Sequence, residues 1–320
     1  MVARAFARAL VSLAAMRRAQ RGPLHPGWSI EEETMSRVLH HYARSSHHLP
    51  LAAQRWALHA MPRPPDRARI ERVDAGGVPA AWIVPEGTLG DRVLVYLHGG
   101  GYSIGSIDTH RAFIARLAAR LGARAFAVDY RLAPEHRFPA QRDDALAAWR
   151  WLLDRGVRPE QALLAGESAG GGLGLSTLVA LREAGGPMPA AAALISPWLD
   201  LTLPRGSIDA NERFDYLPRR VLEVYVERVV GPGGAADPGL SPLLADLAGL
   251  PPLFVVAGGA EGIVDDATRL ADRVRSAGGS IELRVHPGQL HAFPLFAPLP
   301  AARRAIEELV TFADVHLRTG

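Results

Sequence analysis

The sequence predicts an α/β fold, a mostly parallel sheet of about eight strands with helices on both faces. Three observations carry that reading. Short apolar runs suited to buried parallel strands alternate with longer helical patterns along the chain. One run, Leu163-Leu164-Ala165, ends in Gly166-Glu167-Ser168-Ala169-Gly170 and passes at once into a Gly/Ala/Leu-rich helical stretch, the setting of a sharp strand-to-helix turn. Another, 93–97, runs directly into His98-Gly99-Gly100-Gly101.

The elements follow in order. Residues 1–60 read as helical with breaks at Gly22-Pro23 and Pro26-Gly27, and Met61-Pro62-Arg63-Pro64-Pro65 closes them. The period then changes: 70–73 and 80–84 read as paired strands around Gly76-Gly77. Strand 93–97 is followed by helix 111–121, strand 125–128, helix 140–153, strand 162–165, helix 173–182 and strand 190–195. Residues 203–238 interrupt the alternation with Glu212, Arg213, Phe214, Tyr216, Arg219, Arg220 and Tyr225 on a helical pattern between Pro/Gly breaks, an insertion rather than a layer of the sheet. Strand 253–256, helix 265–277, strand 281–285 and helix 301–317 complete the chain. The expected organisation is an N-terminal helical segment, 1–60, and a main domain, 61–320, carrying the insertion 203–238. Strand 281–285, if it lies at a sheet edge, offers unpaired backbone to a second copy, a route to a homodimer.

Composition excludes several chemistries. The chain has 320 residues, 48% hydrophobic and 22% charged, ordinary for a globule with a large core. With no cysteine, disulfides, thiolate metal sites and cysteine nucleophiles are ruled out. All 36 basic residues are arginine, so lysine Schiff-base chemistry is ruled out too. A net charge of +3 argues against a dedicated nucleic-acid binder. The first 30 residues hold Arg4, Arg8, Arg17, Arg18 and Arg21 and no acid. Their apolar run, 9–16, is short and meets Arg17-Arg18 instead of a small-residue cleavage site. The expectation is an amphipathic helix of a cytoplasmic protein, packed on the domain or resting weakly on an anionic membrane, without stable insertion.

Ser168 is the candidate nucleophile. A serine hydroxyl is weak at its own pKa and needs a base within reach and a third group orienting that base. On a sheet of this kind the partners follow in the order serine, acid, histidine, on loops at the carboxyl ends of strands. His291, in the turn-rich loop Pro287-Gly288-Gln289-Leu290-His291 after strand 281–285, is the candidate base; His286 lies at the strand end and His316 in the last helix. Glu261 is the first acid after strand 253–256 and the choice on position, with Asp265 open as the alternative. A developing oxyanion needs fixed donors. Backbone N–H groups of Gly100, Gly101 and Ala169 are the candidates, since a glycine run permits close backbone approach and the N–H after the nucleophile points at the same spot. A phosphate cradle would need a lysine and a G-K-[ST] ending, both missing here. His98 is expected to brace the loop. Nothing in this chemistry requires a metal or cofactor.

The chain resembles the hormone-sensitive lipase family of α/β-hydrolases, the bacterial family IV esterases. The resemblance rests on His98-Gly99-Gly100-Gly101-Tyr102, on the run Tyr130 to Ala140 (YRLAPEHRFPA), and on Gly166-Glu167-Ser168-Ala169-Gly170. Ile195-Ser196-Pro197-Trp198-Leu199-Asp200, Ser241-Pro242-Leu243, Gly249-Leu250-Pro251-Pro252 and Gly288 to Phe293 extend it in order. It implies an α/β-hydrolase core with a helical cap built from the N-terminal helices and the 203–238 insertion. It also implies a carboxylic-ester hydrolase working through an acyl-enzyme on short- to medium-chain acyl esters or lactones. Two residues depart from the family pattern: Glu261 stands where aspartate is usual, as in a glutamate branch of the family, and Glu167 stands where aspartate is commoner. Arg131, Glu135, His136 and Asp143 or Asp144 are expected to brace the turn below the site, and Tyr102, Trp198 and Phe293 are candidates for lining the pocket. Two alternatives differ in class: a non-catalytic small-ligand receptor on the same fold, against which the presence of His291 argues, and an amidase or peptidase, separated by matched ester and anilide substrates.

Overall fold

The computed structural model describes residues 2–61, 67–88 and 90–317, with side chains from Leu10 onward. Residues 62–65 of the stretch expected to close the N-terminal helices, and the side chains of Arg4 and Arg8, lie outside the described residues. The helices are α1 (Val2–Arg21), α2 (Ile30–Ser46), α3 (Leu51–Ala60), α4 (Ile107–Leu121), α5 (Ala140–Asp154), α6 (Ala169–Glu183), α7 (Ser207–Ala210), α8 (Arg219–Val229), α9 (Val264–Ser276) and α10 (Pro300–His316). The strands are β1 (Ala68–Asp74), β2 (Pro79–Pro85), β3 (Val93–Leu97), β4 (Arg124–Val128), β5 (Ala162–Glu167), β6 (Ala191–Ile195), β7 (Leu253–Gly258) and β8 (Ile281–His286).

They form one eight-stranded sheet in the order β1-β2-β4-β3-β5-β6-β7-β8. Strands β3 to β8 run parallel; β2 pairs antiparallel with both β1 and β4. Because side chains alternate along a strand, each central strand feeds two cores. Val93, Val95 and Leu97 of β3 join the core beneath α5, α6 and α9, whereas Leu94 and Tyr96 join the core beneath α4 and α10. This two-sided burial is why the central strands read as unbroken apolar runs. β8 is an outer strand and shows the alternation of a one-sided strand, with Ile281 and Leu283 half-buried and Glu282 and Arg284 exposed.

Local chemistry sets the helix ends. Ser106 caps α4 by accepting the Thr109 N–H, and Gly122 ends it in the left-handed region at φ 60°. Ser29 and Glu32 exchange side-chain and backbone bonds at the start of α2. α6 starts four residues earlier than the periodicity predicts, because Gly170, Gly171 and Gly172 in its first turn carry no side chain to register a pattern. The N-terminal segment is tied to the rest of the fold by Trp28, which packs with Phe214, Ala260 and Leu290 and donates its indole N–H to the Gly288 carbonyl. No helix among the described residues is long and apolar enough to cross a membrane.

Candidate active site

The site assembles at the carboxyl ends of the parallel strands. β5 delivers Ser168 at φ 55° and ψ −122°, and α6 begins at the next residue. That backbone is strained for a residue with a side chain and persists because its surroundings fix it. The Ser168 N–H donates to the Ile195 carbonyl (2.9 Å), and the Ser168 carbonyl accepts from Trp198 (3.0 Å). The turn tolerates no bulk: a Cβ on Gly170 would collide with the Leu97 carbonyl, and one on Gly166 with the Gly170 carbonyl.

The glycine loop after β3 lies beside it. Gly100 and Gly101 take φ of 113° and 58°, and the Gly100 carbonyl accepts from Ser103 (3.1 Å) and Ile104 (3.0 Å). Among the described residues no backbone bond uses the N–H groups of Gly100, Gly101 or Ala169, so all three remain free to donate. Glu167 anchors the loop. Its buried carboxylate accepts from the Gly99 N–H and the Tyr96 hydroxyl and pairs with His110 Nε2 at 2.9 Å. Burial alone would push this carboxyl up, but the His110 charge and the three donors outweigh it and hold it below the usual glutamate range. His98 stacks on Tyr130 (4.4 Å between ring centroids), with Nδ1 2.8 Å from the Gly99 carbonyl oxygen. Burial, with the His110 charge, pushes His98 down to about 4, so it is neutral near pH 7 and braces the loop as expected.

Glu261 and His291 arrive on the loops after β7 and β8, both buried. Their closest atoms, His291 Nδ1 and Glu261 Oε2, stand 3.6 Å apart, a few tenths outside hydrogen-bond reach. His291 Nδ1 and Glu261 Oε1 have no hydrogen-bond partner among the described residues. A shift of a few tenths of an ångström would close the pair into a hydrogen bond. Ser196, at φ 43°, joins the two loops: its hydroxyl donates to Glu261 Oε2 (2.6 Å) and accepts the Ala292 N–H (2.9 Å). Asp265 is elsewhere. Its carboxylate accepts the Ser207 N–H (2.8 Å) at the start of α7, so of the two candidate acids the fold brings Glu261 to His291.

A second carboxylate, missed from the sequence, stands behind the histidine. Asp215 is fully buried and accepts from Gly262 N–H (2.8 Å), Tyr216 N–H (2.9 Å) and His291 N–H (3.4 Å), while the Tyr216 hydroxyl donates to the His291 carbonyl (3.0 Å). Residues 215 and 216 thus clasp both the acid loop and the histidine loop. Burial pushes the His291 imidazole down, but Glu261, Asp215 and Glu167 together outweigh it and hold it above its ordinary value. Burial holds the Glu261 carboxyl above its ordinary value despite His291 and Ser196.

Ser168 and His291 open onto one cavity of about 260 Å³, shared with Gly100, Gly101 and Trp198. Its walls are Leu39, Tyr42 and Ala43 of α2, Leu58 of α3, Leu217, Leu222 and Tyr225 of the insertion, and Leu295 and Phe296. Of the three candidate pocket residues, Trp198 is among its walls and Tyr102 and Phe293 are not. Tyr102 sits in the left-handed region at φ 60°, and its buried ring joins the core beside Trp198, with its hydroxyl 2.9 Å from where a Cβ on Gly172 would stand. Phe293 opens a short 3-10 turn that sends its ring against His286 and the core under α10. The brace below the site is also rearranged. Arg131 grips Asp144 through Nε and a terminal nitrogen (2.7 Å at the shortest), but Glu135 is taken by Arg55 of α3 (2.8 Å).

A serine on a strained strand-to-helix turn, with later acid and histidine loops on a parallel sheet, defines an α/β hydrolase. A family model described as the alpha/beta hydrolase fold matches residues 94–295, the span from β3 through His291. An acetyl-hydrolase of Streptomyces hygroscopicus is 41% identical over 249 residues, 77% of this chain and 82% of the relative. A crystal structure of an esterase/lipase from an uncultured bacterium superposes with a TM-score of 0.85 at 34% identity, covering 90% of this chain and 99% of the other. An esterase from the bacterial hormone-sensitive lipase family superposes at 0.78 with 37% identity, covering 98% of each chain. The chain belongs to the hormone-sensitive lipase family of α/β hydrolases.

Proposed function

We infer that the protein is a serine carboxylic-ester hydrolase, with Ser168, His291 and Glu261 as its catalytic residues. The observation that carries this is the single cavity shared by Ser168, His291 and the glycine loop with its unused N–H donors. His291 Nε2 takes the Ser168 proton as Oγ attacks the ester carbonyl, and the oxyanion rests on the Gly100, Gly101 and Ala169 N–H groups. The protonated imidazole then gives its proton to the leaving alcohol, forming the acyl-enzyme. Water, deprotonated by His291, attacks the acyl carbonyl; the proton returns to Ser168 as the acid leaves. Glu261 holds the ring and stabilises its charged form.

The substrates are short- to medium-chain acyl esters or lactones, and an acetyl ester is the favoured small acyl group, as the name of the Streptomyces relative suggests for that protein. The small, mostly apolar cavity supports this. Residues 1–60 and the insertion 203–238 act as a cap, which their share of the cavity wall supports. With p-nitrophenyl esters of increasing chain length, kcat/KM is expected to peak among the short and medium acyl groups and to fall by about tenfold or more for long ones. A burst of nitrophenol equal to the enzyme concentration, or a trapped acyl adduct at Ser168, reports the intermediate. Equal turnover of matched anilides, or binding without any turnover, would overturn the assignment.

His291 must be neutral to accept the serine proton, so activity rises with pH through its pKa, with a midpoint above the ordinary histidine value. Asp215→Asn removes one of the charges that holds this pKa up, and is expected to move the midpoint down by about half to one pH unit. A profile unmoved by Asp215→Asn, in a protein of wild-type melting temperature, would show that Asp215 acts only as a brace.

The same proposal extends to a homodimer through β8, whose outer position supports it. A light-scattering mass of one chain at micromolar concentration would end that part. It also assigns the work to the cytoplasm, with loose contact between the arginine-rich N-terminal helix and anionic membrane, to be tested by cell fractionation.

A further inference from the structure

α2 divides the Ser168 cavity from a second one. Leu39, Tyr42 and Ala43 face the site, while Ser36, Arg37, His40, His41 and Arg44 face a cleft of about 900 Å³ between α1, α2 and the 209–213 stretch of the insertion. Arg17 of α1 and Arg213 of the insertion close around the same cleft. Its charges do not cancel. Arg37 is taken by the buried Glu33 (2.8 Å), and Asp209 by Arg219 (2.7 Å). Arg17 and Arg44 have no ion-pair partner among the described residues, and Arg213 lies over the Phe214 ring at 4.4 Å. Glu212 is the one carboxylate in the described lining that no ion pair holds, so the cleft keeps an excess of arginine charge.

A narrower groove of about 290 Å³ runs out of this cleft between α1 and α2 and shares Arg17, Arg37 and His41 with it. Leu10, Leu13, Ala14 and Arg17 form one face of α1 at helical spacing, opposite Thr34 and Val38 of α2. Leu13 and Val38 remain 45% and 42% exposed, apolar surface that nothing among the described residues covers. An uncovered apolar groove opening onto unpaired arginines matches one kind of molecule in both charge and polarity.

We propose that this groove and cleft bind an anionic single-chain amphiphile, with its alkyl chain between α1 and α2 and its carboxylate or phosphate head on Arg17 and Arg44. Burial of the chain and of Leu13 and Val38 supplies the apolar part of the affinity, and charge-assisted hydrogen bonds to the guanidinium groups supply the rest. Neither arginine touches the Ser168 cavity, so the site is distinct from the catalytic one.

The probe is decyl phosphate at monomeric concentration, followed by titration calorimetry on the full chain with Ser168 blocked by a bulky phosphonate that fills the catalytic cavity. Saturable one-to-one binding is expected, at least tenfold tighter than inorganic phosphate. It should weaken by about tenfold in Arg17→Gln/Arg44→Gln and again in Leu13→Gln, while the unblocked variants hydrolyse nitrophenyl acetate as the wild type does. Leu13, Arg17 and Arg44 are exposed, so glutamine is tolerated at each, and hydrolysis reports that the variants are folded. Equal affinity for decyl phosphate and inorganic phosphate, or wild-type binding by both variants, would overturn the proposal. So would binding to phosphatidylglycerol vesicles without binding to the monomer, which would make this face a membrane contact.

Discussion

Ser168→Ala is expected to lower kcat for a nitrophenyl acyl ester by about 10⁴- to 10⁶-fold, while leaving the fold intact. The two halves of this expectation have separate grounds. The Ser168 backbone is held by Ile195 and Trp198 through groups that alanine also has, and no hydrogen bond of its hydroxyl joins the described structure, so little stability rests on Oγ. The reaction, in contrast, loses the only atom able to form the acyl-enzyme at this turn. The unused N–H groups of Gly100, Gly101 and Ala169 stay in place, so residual rates of about 10³–10⁴ over water are the floor. The measurement is steady-state hydrolysis with circular dichroism and a melting curve alongside. Retention of more than a tenth of wild-type kcat would sink the assignment of Ser168 as nucleophile.

The sheet was legible because its physics is local. Two-sided burial writes each central strand as a short apolar run, and the sharp turns write themselves as glycines beside Ser168 and after β3. The order of Ser168, Glu261 and His291 was readable for the same reason, as each stands just past a strand. What was hidden depends on side chains that meet across the fold. Asp215 sits in an insertion whose pattern shows only a helix with charges, yet three backbone N–H groups from three loops converge on it. Glu135, expected in the network with Arg131 that braces the turn, is instead held by Arg55, 80 residues away. Tyr102 and Phe293 stand next to the right residues in sequence, but their backbone turns them into the core. Adjacency to a catalytic motif therefore places a Cα and leaves the direction of its side chain undetermined.

Glu261→Gln is expected to cost about 10²- to 10⁴-fold in kcat, through lost charge or a misplaced proton. In the wild type one oxygen, Oε2, both accepts the Ser196 hydroxyl and stands 3.6 Å from His291 Nδ1, so the orientation of the new amide decides both contacts at once. With its oxygen there the amide keeps the Ser196 bond but offers the imidazolium no charge; with its nitrogen there it gives up that bond and faces Nδ1 with a donor. A donor there forces Nδ1 to accept, putting the ring proton on Nε2, where the base must instead be free to take the proton of Ser168. Glu261 is also the largest of the influences that raise the His291 pKa, so its loss moves the acid limb of the pH profile downward. Glu261→Asp keeps the charge but draws it back by one methylene from a pair already outside bonding distance, and a loss of about tenfold is expected. Asp265→Asn is the control. It breaks the contact with Ser207 at α7 and should alter stability more than the pH midpoint. If Asp265→Asn lowered kcat further than Glu261→Gln, the acid would have to be reassigned to Asp265, and the 3.6 Å pair would be a by-product of packing.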